Sequence, residues 1–289
     1  MRMALSAADI DRLYEEDVAY GDLTTRALGL GHSPARLTLS TRDAMRVCGT
    51  EDAARILRGA GLSVQVHKRS GSAVAASTPL LSASGTAAEL FEIWKIVQTL
   101  VEWQSGIATA TDRIVRAARA VAPDIVVACT RKNVPLTRRL SVRAVIAGGG
   151  TLHRLGLSDS ILLFPEHRRF LRLDFPAAVA QLRRAAPERA VVIEVCSEQE
   201  ARAALAARPD VLQLEKFEPD AVARIRAERE NGRAHTLLAA AGGINAANAP
   251  AYAAAGADIL VTSNPYYAPP CDVAVNLEPF PATSPLAPE

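Results

Sequence analysis

After Pro123 the chain settles into an alternation that leaves few folds open to it. Apolar runs rich in Val, Ile and Leu occupy 125–129, 160–164, 190–195, 211–214, 236–241 and 258–262. Segments with helical spacing separate them, at about 136–147, 174–185, 198–207, 219–230 and 245–255. Six short buried strands alternating with helices predict an α/β fold with a parallel sheet, either open and doubly wound or curled into a (β/α) barrel. The strand ends separate the two. An open sheet gathers ligand contacts at one switch point, whereas a barrel draws them from the C-terminal ends of many strands. Here the ends read Thr130-Arg131-Lys132, Phe164-Pro165-Glu166-His167, Glu194, Glu215-Lys216, Gly242-Gly243 and Thr262-Ser263-Asn264. Every one is polar or glycine-rich, so a barrel with one mouth is predicted.

The first hundred residues have another rhythm. Ser6 suits a helix N-cap, and Ile10, Leu13, Tyr14 and Val18 give a helical stripe over residues 6–19. Residues 20–25 (YGDLTT) read as a turn. Short β-like runs (Arg36–Thr41, Leu62–Lys68, Pro79–Ser84) flank a helix at 50–60, an α+β arrangement. A long helix follows from about Ala87 to Trp103. Ser105-Gly106 is expected to end it, and a second helix, Ile107–Val121, to run on to Pro123. The expected organisation is an N-terminal domain over 1–104, a barrel over 105–270 and a C-terminal tail over 271–289.

Composition excludes several classes. A net charge of +2 in 289 residues lacks the broad basic surface that nucleic-acid binding requires. Four cysteines (48, 129, 196 and 271) lie far apart with no C-x-x-C, which suits a reduced, cytoplasmic protein without a zinc site. The N-terminus carries acids where a signal peptide has its apolar run. The longest uncharged run, His235–Ala257, is broken by Gly242, Gly243 and Pro250, unlike a membrane span. A cytoplasmic protein with no membrane or nucleic-acid partner is expected.

Against that near-neutral background, Arg131 to Arg154 carries six Lys/Arg (131, 132, 138, 139, 143, 154) and no acid. It reads either as a solvated helix face or as the holder of an anionic small molecule. Glu194 interrupts VVIEV and Glu215 ends VLQLE. A carboxylate within an apolar strand needs a partner. Either each forms an ion pair with Lys132 or Lys216, or the two together face Mg²⁺ or sugar hydroxyls and a developing positive charge. Gly242-Gly243 joins a strand to a helix, as a tight turn or as a close approach to phosphate. Gly148–Gly150 ends a helix. His153-Arg154 follows it as an anion contact or a structural pair.

Taken together these motifs resemble the quinolinate phosphoribosyltransferases, or nicotinate-nucleotide pyrophosphorylases. The similarity runs from Glu16-Asp17 and GDLTT (21–25) through SGIAT (105–109), TRK (130–132), GGGxxHR (148–154) and EV (194–195) to GGI (242–244). It implies an N-terminal α/β sandwich, a partly open parallel (β/α) barrel and a homodimer whose active site is shared across the interface. By position, Thr130, Arg131, Lys132, His153 and Arg154 would hold an acidic substrate and the phosphates of phosphoribosyl pyrophosphate, with Lys132 also catalytic. Glu194 and Glu215 would face the ribose and Mg²⁺, and Gly242, Gly243, Ser263 and Asn264 the 5′-phosphate. Lys95 stands where the family has an Arg that reaches the partner's site. The family's Lys-Asp-Asn-His is here Phe164-Pro165-Glu166-His167, so a cation for a substrate carboxylate has become an aromatic ring. That variation, with VEWQSGIAT and NPYYAPP, is most like the ModD branch, pyrophosphorylases associated with molybdenum transport. The resemblance implies ribosyl transfer from phosphoribosyl pyrophosphate to an aromatic nitrogenous acid. Two alternatives stand beside it: a true quinolinate enzyme of NAD biosynthesis, and a non-catalytic anion-binding accessory protein in molybdate handling.

Overall fold

The computed structural model describes residues 5–232 and 235–280. They form two compact units, each discontinuous in sequence. One comprises the chain up to Thr109, Val134–Gly149 and the segment from Ala268. The other comprises Ala110–Asn133 and Gly150–Tyr267.

The first unit is built on a four-stranded antiparallel sheet with the order Val273–Pro279, Pro34–Thr41, Pro79–Thr86, Ser63–Val66. Along Pro34–Thr41 burial alternates residue by residue, which turns Leu37 and Leu39 inward. They pack with Ile56 and Leu57 of the helix Thr50–Gly59 and with Leu90, Ile93 and Val97. Ser6 caps the first helix, Ala7–Asp17, through a reciprocal capping box with Asp9. Val273–Pro279, which falls in the expected C-terminal tail, is a full strand of this sheet; residues 281–289 of that tail lie outside the described residues.

Two local expectations fail for identifiable reasons. GDLTT is not a simple turn. Asp22 accepts hydrogen bonds from the N–H groups of Thr24 and Thr25, each 3.1 Å, and so caps a short helix, Leu23–Ala27. Ser105-Gly106 does not end a helix either. Ala87–Arg119 is one continuous helix of 33 residues. Gly106 is small because a Cβ there would run into the Pro269 carbonyl and within 3.0 Å of Pro270 Cα. Close packing, not a break, explains the residue.

The second unit is the barrel. Its strands are β1 (Val126–Cys129), β2 (Thr151–Leu152), β3 (Ile161–Leu163), β4 (Val191–Val195), β5 (Val211–Glu215), β6 (Leu237–Ala241) and β7 (Ile259–Thr262). All pairings are parallel, in the order β2-β1-β7-β6-β5-β4-β3. The sheet curls, and β2 and β3 stand at its two edges, so the barrel is partly open, as predicted. Periodicity predicts six strands and the barrel has seven, because β2 has only two residues, too few for a readable pattern.

Alternation along the strands sorts their side chains into two sets. Ile193, Val195, Leu212, Leu214, Leu238, Ala240 and Leu260 pack against helix residues such as Val179, Val222 and Tyr252. The opposite set holds Ala239, Ala241 and Val261, and on β4 and β5 the same parity falls on Glu194, Gln213 and Glu215. Small residues on the inner face leave room, and polar residues share it. Among the described residues, no helix is long and apolar enough to cross a membrane.

Candidate active site

All seven strands deliver their C-terminal ends to one cavity of about 340 Å³, within the range of small-molecule sites. Thr130, Arg131 and Lys132 follow β1, and His153 and Arg154 follow β2. Phe164 and Glu166 follow β3, Glu194 lies on β4, and Gln213 and Glu215 on β5. Gly242 and Gly243 follow β6 and Ser263 follows β7. The cavity therefore collects three cations (Arg131, Lys132, Arg154) and three carboxylates (Glu166, Glu194, Glu215).

The basic stretch is divided between two tasks. Arg139 pairs with Asp9 at 2.7 Å, and Arg143 pairs with Asp52, all within the first unit. Only Arg131, Lys132 and Arg154 reach the cavity. The loop of Arg131 and Lys132 is held from β7, whose exit continues into a 3-10 turn, Asn264–Tyr267. Tyr266 donates its hydroxyl to the Thr130 carbonyl (2.8 Å) and Tyr267 donates to that of Lys132 (3.2 Å). The NPYY motif thus clamps the backbone on either side of Arg131.

Glu194 does not take either lysine as its hydrogen-bond partner. It sits opposite Gln213 in register, and Gln213 Nε2 donates to its Oε2 at 2.6 Å. Burial, followed by the charges of Glu215 and Glu166, raises the Glu194 pKa to about 7; Lys132 and the Gln213 hydrogen bond oppose that rise. His153 moves the other way, to about 4, through burial and the neighbouring Arg154 and Arg131 charges. It is a neutral imidazole at pH 7. Arg154 is buried, with its pKa lowered by that burial and by Arg131, and its guanidinium lies 5.6 Å from the Phe164 ring centroid.

Gly242 and Gly243 both adopt left-handed φ, +93° and +76°. A Cβ on Gly242 would meet Lys216 Cγ at 2.7 Å and Glu215 Oε1 at 3.1 Å, whereas Gly243 faces open space. The helix expected from residue 245 begins at Ala249 and is six residues long. An Asn245–Asn248 turn precedes it, so the glycine pair lines the cavity without a long helix behind it.

Two expected site residues lie elsewhere. Asn264 is not in the cavity wall; its N–H donates to Thr262 Oγ1 (3.0 Å) and starts the 3-10 turn. Lys95 belongs to the first unit, where Nζ donates to Gln98 Oε1 (2.9 Å) and lies 4.1 Å from the Trp94 ring centroid. Conversely, the wall includes Gln213 and Glu166, which motif spacing does not pick out as site residues. Gln213 carries a usable signal, since it stands two residues before Glu215 on one strand and so shares its face.

Comparison with known proteins agrees with this architecture. Residues 22–105 match the quinolinate phosphoribosyl transferase N-terminal domain and residues 107–276 its C-terminal domain. The Rhodobacter capsulatus protein described as a pyrophosphorylase, ModD, is 52% identical over 239 residues, covering 82% of this chain and 92% of the relative. Its namesake in Escherichia coli O157:H7 is 42% identical over 277 residues, 95% and 98% of the two chains. The carboxylating nicotinate-nucleotide pyrophosphorylase of Mycobacterium leprae is 33% identical over 257 residues, 87% and 89%. Among solved structures, NadC from Streptococcus pyogenes shares the fold with a TM-score of 0.86 at 23% identity, over 95% of this chain and 96% of that one.

Proposed function

Because the chain belongs to the quinolinate phosphoribosyltransferase family, we propose that its barrel cavity transfers a phosphoribosyl group from phosphoribosyl pyrophosphate to an aromatic nitrogenous acid less anionic than quinolinate. The observation that carries this reading is the opposition of two walls in one cavity, cations on β1 and β2 and carboxylates on β4 and β5. A polyanionic donor suits the first wall. The cationic sugar that forms as its leaving group departs suits the second.

In this reading Arg131, Lys132 and Arg154 supply the charge that holds pyrophosphate and the acceptor's acid group, while Gly242, Gly243 and Ser263 surround the 5′-phosphate. The acceptor's ring nitrogen forms a bond to C1 of the ribose, and the C1–oxygen bond breaks with its electron pair leaving on pyrophosphate. Glu194 and Glu215 stabilise the intervening oxocarbenium-like charge, and such preorganised electrostatics is commonly the largest catalytic effect. Mg²⁺ fits the donor set as an ion shared with substrate phosphates. Among the described residues no group of three His, Cys, Asp or Glu is placed to hold a metal alone, and Mg²⁺ typically takes one or two carboxylates plus phosphate oxygens. When bound it neutralises charge on the leaving group, and Glu194 and Glu215 are the residues to hold it.

The choice of a less anionic acceptor rests on Phe164. Quinolinate carries two carboxylates, and at this position the cavity offers a ring above Arg154 in place of a cation. A true quinolinate enzyme is therefore disfavoured. So is a mere anion carrier, for which three carboxylates in the binding cavity would be a liability. The reading includes a homodimer in which Lys95 serves the partner's cavity. Release of pyrophosphate from Mg-phosphoribosyl pyrophosphate, followed across a panel of pyridine and pyrimidine acids, tests the proposal. Turnover with at least one monoacid is expected; release with none would overturn it.

A further inference from the structure

The open side of the barrel holds a second space. β2 and β3, the two edge strands, do not pair with each other, and along the loop that joins them lies a recess of about 540 Å³. Its apolar surface comes from Leu157 on that loop and from Ile161 and Leu162 of β3. Leu157 is 76% exposed, so a large apolar side chain stands uncovered there.

The recess adjoins the barrel cavity, because Arg154, Leu162, Phe164 and Glu166 line both. Phe164 is held firmly at that boundary. Its N–H donates to His167 Nδ1 (3.1 Å), its ring stacks with the imidazole at a centroid distance of 5.7 Å, and the Arg154 guanidinium lies over it. Arg154 is 7% exposed and, among the described residues, forms no hydrogen bond or ion pair. A guanidinium so far removed from water calls for an anion. An acid group that meets it stands where the two spaces join, and the rest of the same molecule can extend into both.

We infer that the recess receives an apolar substituent or a fused ring of the acceptor, so that the substrate is a monoacid larger than a single pyridine ring. This deepens the proposed function and rests on it. The boundary sets the chemical class. Phe164 offers an aromatic face there, which suits a flat apolar group and gives a second carboxylate nothing to bind. Glu166 and His167 are exposed and line the recess toward solvent, and the Glu166 carboxylate repels a further acid. Leu157, Ile161 and Leu162 favour the substituent through the apolar area it removes from water. Leu157 is thus a specificity-determining residue outside the barrel cavity itself.

Calorimetry on the full chain tests the inference. The probes are nicotinate, quinolinate, quinoline-3-carboxylate and the 2-, 5- and 6-phenyl derivatives of nicotinate, each with Mg-phosphoribosyl pyrophosphate present and absent. At least one of the larger monoacids is expected to bind about fivefold or more tightly than both nicotinate and quinolinate. That ratio should fall toward one in Leu157→Asn, which replaces the apolar side chain with a neutral polar one of similar size. Each ratio is internal to one protein, so a general weakening of the variant does not affect it, and the exposure of Leu157 leaves the core intact. If no larger monoacid reaches that ratio in the wild type, or if the preference survives unchanged in Leu157→Asn, the inference is overturned. Failure of Mg-phosphoribosyl pyrophosphate to bind the same wild-type sample would instead defeat the proposed function. Its binding without any preference for the larger acids defeats only this step.

Discussion

Gln213 and Glu194 are register partners on adjacent parallel strands, and a 2.6 Å hydrogen bond joins their side chains inside the barrel. The amide holds in place a carboxyl whose pKa burial has pushed to about 7. A group meant to face a developing positive charge is thus poised near neutrality and kept in a fixed orientation by a neighbour that carries no charge.

That poise has a direct pH consequence. The folded-state pKa of Glu194 lies above its ordinary value of 4.5, so between about pH 4.5 and 7 the folded protein holds more protons than the unfolded chain. Stability contributed by this group is therefore greatest at low pH and falls as pH rises through that window. Ribosyl transfer should run the other way, gaining its carboxylate as pH rises through about 7. Thermal melting and rate profiles of wild type and Glu194→Gln check both limbs. The variant should lose this part of the pH dependence of melting, together with most of its turnover.

Replacing the aromatic ring with the family's cation should retune the pocket. Phe164→Lys is expected to raise quinolinate affinity by at least about tenfold, since a charged hydrogen bond is worth roughly 1.5–3 kcal/mol. Calorimetric titration of quinolinate measures it. No gain would mean that residue 164 does not meet the acceptor.

The clamp on the Arg131 loop should matter for ligand binding as well as for folding. Tyr266→Phe deletes one hydrogen bond to the Thr130 carbonyl (2.8 Å), costing about 1 kcal/mol of stability. Affinity for phosphoribosyl pyrophosphate is expected to fall several-fold as Arg131 loses its fixed backbone. Melting temperature and titration of the same variant separate the two effects.

Gly106 makes the opposite prediction. Its place against the Pro269–Pro270 backbone means that Gly106→Ala should destabilise the protein by about 1–3 kcal/mol through overpacking, although alanine is the better helix former. Denaturant unfolding tests it; a stabilised variant would show that the contact is not tight.

Much of the fold is legible in the residues alone. The six longer barrel strands, the helix capped by Ser6 and the strands at 34–41 and 79–86 follow from periodicity, because each shows enough of its pattern to be read. The Thr151–Leu152 strand does not, having two residues. Gly106 misleads because a glycine chosen for close packing looks like one chosen to break a helix. In the site, strand-end polarity locates Arg131, Glu194, Glu215 and the glycine pair, since seven strand ends converge on one mouth. The division of the basic run is not readable, because charge alone does not tell Arg143, paired with Asp52, from Arg131. Nor is the Gln213–Glu194 bond, which depends on cross-strand register.

Central to the proposed function is a cation wall that binds a phosphorylated ribose donor. Titration of Mg-phosphoribosyl pyrophosphate into wild type and Arg131→Ala, read by calorimetry, tests it most directly. Saturable binding by the wild type, weakened about a hundredfold or more in the variant, is the predicted result, in line with the loss of a charged phosphate contact. No binding by the wild type, or equal binding by both proteins, would contradict it.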